Sequence, residues 1–115
     1  MDNLTNLEQL YISYNQIQKL EGLDKLEKLN SFSIDSNQIS KLEGLHNLKN
    51  LTHFTIGNNT IEKLEGLNNL TNLQQFHVFY NNINKMEGLD NLKKLRSLLI
   101  HQNKYSCSLS ISAHL

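Results

Sequence analysis

Leu29-Asn30-Ser31-Phe32-Ser33-Ile34-Asp35-Ser36-Asn37-Gln38-Ile39-Ser40-Lys41-Leu42-Glu43-Gly44-Leu45-His46-Asn47-Leu48-Lys49-Asn50 is one unit of a pattern that returns every 22 residues along the chain. Its apolar set, Leu29, Phe32, Ile34, Ile39, Leu42, Leu45 and Leu48, reappears in register as Leu51, Phe54, Ile56, Ile61, Leu64, Leu67 and Leu70. The preceding copy carries Leu7, Leu10, Ile12, Ile17, Leu20, Leu23 and Leu26, and the following one Leu73, Phe76, Val78, Ile83, Met86, Leu89 and Leu92. A fifth copy opens with Leu95, Leu98 and Ile100 and then fades. A spacing kept this strictly marks a structural repeat, in which each unit buries its apolar face against its neighbours and not in a central ball.

Within each unit the stretch from Asn30 to Ile34, or from His53 to Ile56, alternates inward and outward and favours β-branched or aromatic residues inward, which is a strand signal. Copies that lie side by side and run the same way form a parallel sheet with right-handed crossovers. The connecting Ile-x-x-Leu-Glu-Gly-Leu-x-x-Leu segment is too short for a substantial α-helix, and leucines spaced by three suit short 3₁₀ turns on the opposite face. Gly22, Gly44, Gly66 and Gly88 recur where the chain turns inward, at a point that excludes a side chain or needs positive φ. The expected fold is an α/β repeat solenoid: a right-handed coil with a concave parallel β-sheet of about five strands and convex 3₁₀ or loop segments. The array is expected over residues 1–105, beginning in mid-repeat, with a degenerate tail at 106–115.

Asn15, Asn37, Asn59, Asn81 and Asn103 close each strand. There the backbone leaves the ladder, and an inward carboxamide can satisfy stranded N–H and C=O groups of its own and the next coil. These five are expected to form a structural asparagine ladder. Lys19/Glu21, Lys41/Glu43, Lys63/Glu65 and Lys85/Glu87 stack into a charged stripe, which is expected to solvate the outer surface and to add little stability.

Lysine plus arginine equals aspartate plus glutamate at eleven each, with 38% apolar and 19% charged residues. No net charge draws the chain to nucleic acid or to an anionic membrane, so neither is expected as a partner. No apolar run approaches the roughly 18 residues of a membrane span, and no basic segment with a following hydrophobic stretch opens the sequence. The single cysteine, Cys107, has no internal partner, in keeping with a reducing compartment. A cytoplasmic or nuclear location is expected.

The 22-residue period together with Leu-Glu-Gly-Leu-x-x-Leu resembles the leucine-rich repeat proteins, over about residues 1–105. In particular it resembles the subclass typified by the repeat-built regulatory subunit of protein phosphatase 1, which also includes the leucine-rich light chain of axonemal dynein. Bacterial internalins share the period, but they usually lack the Glu-Gly step and are secreted, which makes them the weaker match. The resemblance implies a non-catalytic scaffold that holds a protein partner against its concave sheet, with a protein phosphatase catalytic subunit or a cytoskeletal protein as the family-derived partner. The alternative is a purely structural spacer within a larger protein. Members of the subclass often close with a segment containing proline, and this chain has none. Open ends expose leucines and strand edges, so a longer array or end-to-end self-association is expected.

The concave surface should present the outward residues of each strand, among them Tyr11, Tyr14, Asp35, His53, His77, Phe79, Tyr80, Leu99 and His101. Tyr11 and Tyr14 at one end, and Phe79, Tyr80 and Leu99 toward the other, place large groups where folding does not require burial, and such aromatics anchor interfaces. His53, His77 and His101 descend on a diagonal, with neighbouring Cα atoms roughly 8 Å apart and the outer pair roughly 16 Å apart. All three cannot converge on one ion and no cysteine or acidic ligand stands beside them, so neither metal nor cofactor is expected. Histidine titration instead makes partner binding sensitive to pH between about 5 and 7. Cys107, near His101 and His114 in sequence, lacks a framework to orient a base, and no phosphate-cradling loop, Cys-x-x-Cys or His-Glu-x-x-His occurs. No enzyme activity is expected.

Overall fold

A computed structural model describes residues 4–104. Five short strands, β1 (Gln9–Tyr11), β2 (Ser31–Ser33), β3 (His53–Thr55), β4 (Gln75–His77) and β5 (Ser97–Leu99), form one parallel sheet in sequence order. Register follows the repeat: Leu10 lies beside Phe32, Phe32 beside Phe54, Phe54 beside Phe76 and Phe76 beside Leu98. The sheet is therefore as the 22-residue frame requires, and each coil adds one strand. The expected tail lies outside the described residues, as do Cys107 and His114.

The middle residue of every strand points inward. Phe32 and Phe54 stack with ring centroids 5.4 Å apart, and Phe54 and Phe76 with 5.5 Å, all three rings buried. Near-parallel rings at this separation are offset, and each such pair adds about 0.5–1.5 kcal/mol beyond area burial. Behind them Leu26, Leu29, Leu48, Leu51, Leu70 and Leu73 are wholly buried. Leu7, Leu10, Ile12 and Ile17 in the first coil are only partly covered, because among the described residues they have a neighbour on one side alone.

On the convex side the leucine triplets close single i→i+3 turns, with Leu26 N–H donating to Leu23 O at 3.1 Å and Leu29 N–H to Leu26 O at 3.1 Å. The same pair recurs at Leu48/Leu51, Leu70/Leu73 and Leu92/Leu95. These are hydrogen bonds of the expected 3₁₀ type, but spaced by three residues they never overlap, so no helix forms among the described residues. None therefore is long and apolar enough to cross a membrane. Gly66 has φ +69, and a Cβ there would stand 2.8 Å from Leu42 O, so both reasons for glycine hold at once.

The asparagine ladder is present, with one difference in direction. Asn59 Oδ1 accepts from Ile39 N–H at 2.9 Å, and its Nδ2 donates to Ile34 O, Ile56 O and Gly57 O. Asn37, Asn81 and Asn103 repeat the arrangement. Each side chain thus joins its own coil to the preceding one, not to the next. Asn15, with no preceding coil among the described residues, bonds only Ile12 O and Ser13 O and is exposed.

Immediately before each ladder asparagine the backbone enters the left-handed region, at Tyr14, Ser36, Asn58, Tyr80 and Gln102, with φ between 54 and 59. None of the five is glycine. The charged stripe is loose: of the four Lys-x-Glu pairs only Lys85 and Glu87 approach within ion-pair distance, at 3.8 Å. Two further asparagine rows sit on the convex face instead. Asn47, Asn69 and Asn91 donate to Asp24 O, His46 O and Asn68 O, and Asn50 and Asn72 to Glu27 O and Lys49 O, each in the coil before.

Candidate protein-binding face

Strand alternation turns Gln9, Tyr11, Ser31, Ser33, His53 and their equivalents away from the core, and the residues following each strand extend the same surface. Tyr11 is 63% exposed, Tyr14 84%, Tyr80 53% and Leu99 38%. Tyr14 and Tyr80 both stand on left-handed backbone, with φ 59 and 55.

Phe79 behaves differently. Its ring lies back over Gly57, where an added Cβ would meet Phe79 Cε2 and Cζ at 3.0 Å. The other side of Phe79 stacks on His101, centroids 5.3 Å apart and planes 3° from parallel. Tyr80 meets both edge-on, at 5.8 Å from Phe79 and 6.1 Å from His101. The structure so gathers Phe79, Tyr80 and His101 into one aromatic cluster, while Tyr11 and Leu99 stand apart from it. A stack between residues of adjacent coils follows from the repeat register, but the recess that admits Phe79 depends on Gly57, one residue whose significance the sequence pattern does not flag.

Between Tyr14 and this cluster runs an open groove of about 360 Å³ lined by Tyr14, Asp35, Ser36, Asn58, Phe79 and Tyr80. Its polar wall is tightly tied. Asp35 Oδ1 accepts from Gly57 N–H at 2.6 Å and Oδ2 from the Thr55 hydroxyl at 3.2 Å. Thr55 Oγ1 also shares a hydrogen bond with Ser33 Oγ, which shares another with Ser13 Oγ, and Ser13 Oγ accepts from Asp35 N–H. In this row the side chain at one coil caps the backbone N–H of the next, an anchoring role for Ser13 and Asp35 that strand alternation alone does not reveal.

The histidine diagonal separates into three environments. His53 Nδ1 shares a hydrogen bond of 2.8 Å with the Thr52 hydroxyl. His101 belongs to the aromatic cluster. His77 lies half-buried on β4, and burial holds its pKa below the ordinary 6.5, a shift that Asp35 opposes and His53 reinforces. Among the described residues no group of three histidine, cysteine or acidic side chains is placed to hold a metal ion.

A stacked parallel sheet, an inward asparagine ladder and a free concave face define a repeat solenoid, and the chain belongs to the leucine-rich repeat proteins. The family model for leucine-rich repeats in two copies matches residues 5–45 and again 27–69. Among solved structures the chain is similar to internalin C2 of Listeria monocytogenes, with a TM-score of 0.86 and 29% identity over 94% of this chain. It is similar also to internalin F of that bacterium, with a TM-score of 0.74 and 31% identity over 88% of this chain. The functional domain of InlJ from L. monocytogenes, described as including a cysteine ladder, shares the fold at a TM-score of 0.63 and 21% identity over 93% of this chain. The chain spans 48%, 36% and 28% of those three chains, respectively. No curated protein matches it. These relatives come from the group that the Glu-Gly step ranks second, and they do not single out the phosphatase-regulatory subclass. The family is commonly one of protein-interaction modules, generally non-enzymatic.

Proposed function

We infer that the chain is a non-catalytic scaffold that captures a protein partner on its concave face. Tyr11, Tyr14, Phe79, Tyr80 and Leu99 supply the apolar anchors, and Asp35, His53, His77 and His101 the polar contacts. One observation carries this inference: Tyr11, Tyr14 and Tyr80 each hold more than half their surface in solvent on a single face, although the apolar side chains of the central coils are buried almost completely. Exposed tyrosines cost a folded monomer solubility and add nothing to its core, whereas at an interface they bury large area with little loss of rotamer freedom. The Leu-Glu-Gly-Leu step supports a phosphatase-regulatory or cytoskeletal and ciliary adaptor, working in the cytoplasm or nucleus.

The test is affinity capture with the full chain and with a Tyr11→Ser/Phe79→Ser/Tyr80→Ser variant, paired with thermal unfolding of both. A partner lost by the variant while the fold persists supports capture on this face. An identical set of bound proteins refutes it and favours a structural spacer. Recovery of a phosphatase catalytic subunit, or of an axonemal or cytoskeletal protein, decides between the finer assignments.

A further inference from the structure

Asp35 is the only aspartate, glutamate, lysine or arginine among the outward positions of the five strands and the left-handed residues that follow them. Among the described residues the single ion pair, Lys85–Glu87, lies elsewhere, so the Asp35 carboxylate has no cationic partner. His77, whose positive form Asp35 would favour, is held toward its neutral form by burial. The carboxylate is fixed by Gly57 N–H and Thr55 Oγ1, one bond to each oxygen, and each oxygen keeps a further lone pair. It borders a groove whose other walls include the rings of Tyr14, Phe79 and Tyr80.

A partner that covers this face must either neutralise that carboxylate or bury it unpaired, and burial of an uncompensated charge is strongly unfavourable. The aromatic rings sharpen the requirement. Tyr14 and Tyr80 sit on coils three strand spacings apart, roughly 14 Å between Cα atoms, a gap that lets a side chain enter between them. A cation within about 6 Å of a ring centroid is attracted by the ring face. A planar guanidinium can stack on a ring and donate in its own plane to a carboxylate, and it sheds water more readily than an ammonium.

We propose that the groove between Tyr14 and Tyr80 is a recognition site for an arginine side chain of the protein partner, with Asp35 as the counter-ion. The site rests on the concave face being the partner surface and specifies the chemistry that surface selects. A partner with an arginine at the centre of its contact patch is preferred over one with glutamine or an acidic residue there.

The probe is the peptide N-acetyl-Gly-Arg-Gly-amide, titrated into the isotope-labelled full chain and followed through backbone amide resonances, with matched citrulline and lysine peptides. The Gly57 amide, bonded to Asp35, is expected to shift saturably with the arginine peptide. Citrulline, which has the shape without the charge, is expected to leave it unmoved, and lysine to bind more weakly than arginine. Asp35→Asn retains an oxygen for Gly57 N–H and is expected to weaken arginine binding about tenfold, the lower end for a hydrogen bond to a charged group. Tyr80→Leu, outside the carboxylate network, is expected to weaken binding as well, and decides the matter if Asp35→Asn disturbs the fold. Equal responses to arginine and citrulline, no Gly57 shift, lysine binding as tightly as arginine, or undiminished binding by these variants would each overturn the site. Loss of partner capture by the triple serine variant, with no arginine response, would reject this site and leave the concave face as the partner surface.

Discussion

Replacing Asn59 by alanine removes four hydrogen bonds, yet the structure distributes the loss unevenly. Ile34 O still accepts from Asn37 Nδ2, Ile56 O from Asn81 Nδ2, and Gly57 O from Ser36 N–H. Ile39 N–H has no other acceptor and sits in a residue with no solvent exposure. The cost therefore centres on one orphaned buried donor, about 1–3 kcal/mol, with a smaller contribution from the three weakened carbonyls. Asn15→Ala is the internal control. Asn15 accepts no N–H from another coil and is exposed, so that substitution is expected to cost well under 1 kcal/mol. Urea denaturation followed by circular dichroism and by tyrosine fluorescence gives both values, and coincidence of the two probes checks that a short repeat array still unfolds as one unit. Equal losses for Asn15→Ala and Asn59→Ala, or an unchanged midpoint for Asn59→Ala, would refute the coil-to-coil account of the ladder.

Two other predictions concern the backbone turn and the titrating face. Gly22 and Gly66 share a left-handed φ, +76 and +69, but a Cβ at Gly22 meets nothing within 4 Å whereas one at Gly66 meets Leu42 O at 2.8 Å. Both alanine variants are expected to lose about 1–2 kcal/mol from backbone conformation, and Gly66→Ala measurably more from the clash. Equal falls in melting temperature would show that the contact is relieved by movement. For His77, burial lowers the folded-state pKa below 6.5, so the unfolded chain binds the proton more readily. The stability this group confers is complete above the unfolded value and is lost as pH falls through the depressed folded value. His77→Gln is expected to fall less in melting temperature than the parent between about pH 7.5 and 5.5. An identical slope in parent and variant would remove His77 as a contributor.

The repeat frame made the sheet, its register, the inward leucines and the ladder asparagines legible, because each is a consequence of period and alternation. Leu45 and Leu67 must be equivalent if their coils stack, and Phe32, Phe54 and Phe76 must then lie one above another. Where the frame was silent, the deciding variable was side-chain direction or the identity of one neighbour. Phe79 was legible as an outward aromatic, but that it folds over Gly57 to stack on His101 depends on a missing Cβ one coil earlier. Asp35 was legible as an outward residue, while its hold on Gly57 N–H depends on a backbone donor left over by the parallel ladder. The convex rows through Asn47 and Asn50 were hidden among surface polar residues, since a carboxamide that bonds water and one that bonds a carbonyl of the previous coil look alike in sequence. Three of the four Lys-x-Glu pairs fail to close because side chains free in water gain little by pairing.

The left-handed residues ahead of the ladder put Tyr14 and Tyr80 where asparagine, as at Asn58, is better tolerated. Thermostabilising redesign aimed at the backbone would convert both tyrosines to asparagine or glycine. The same edit would erase the two tyrosine rings that border the groove. Durability and the recognition proposed for this face are thus set in opposition at two defined sites, and a programme that selects variants by heat resistance alone would drift toward a sturdier molecule with a blank surface.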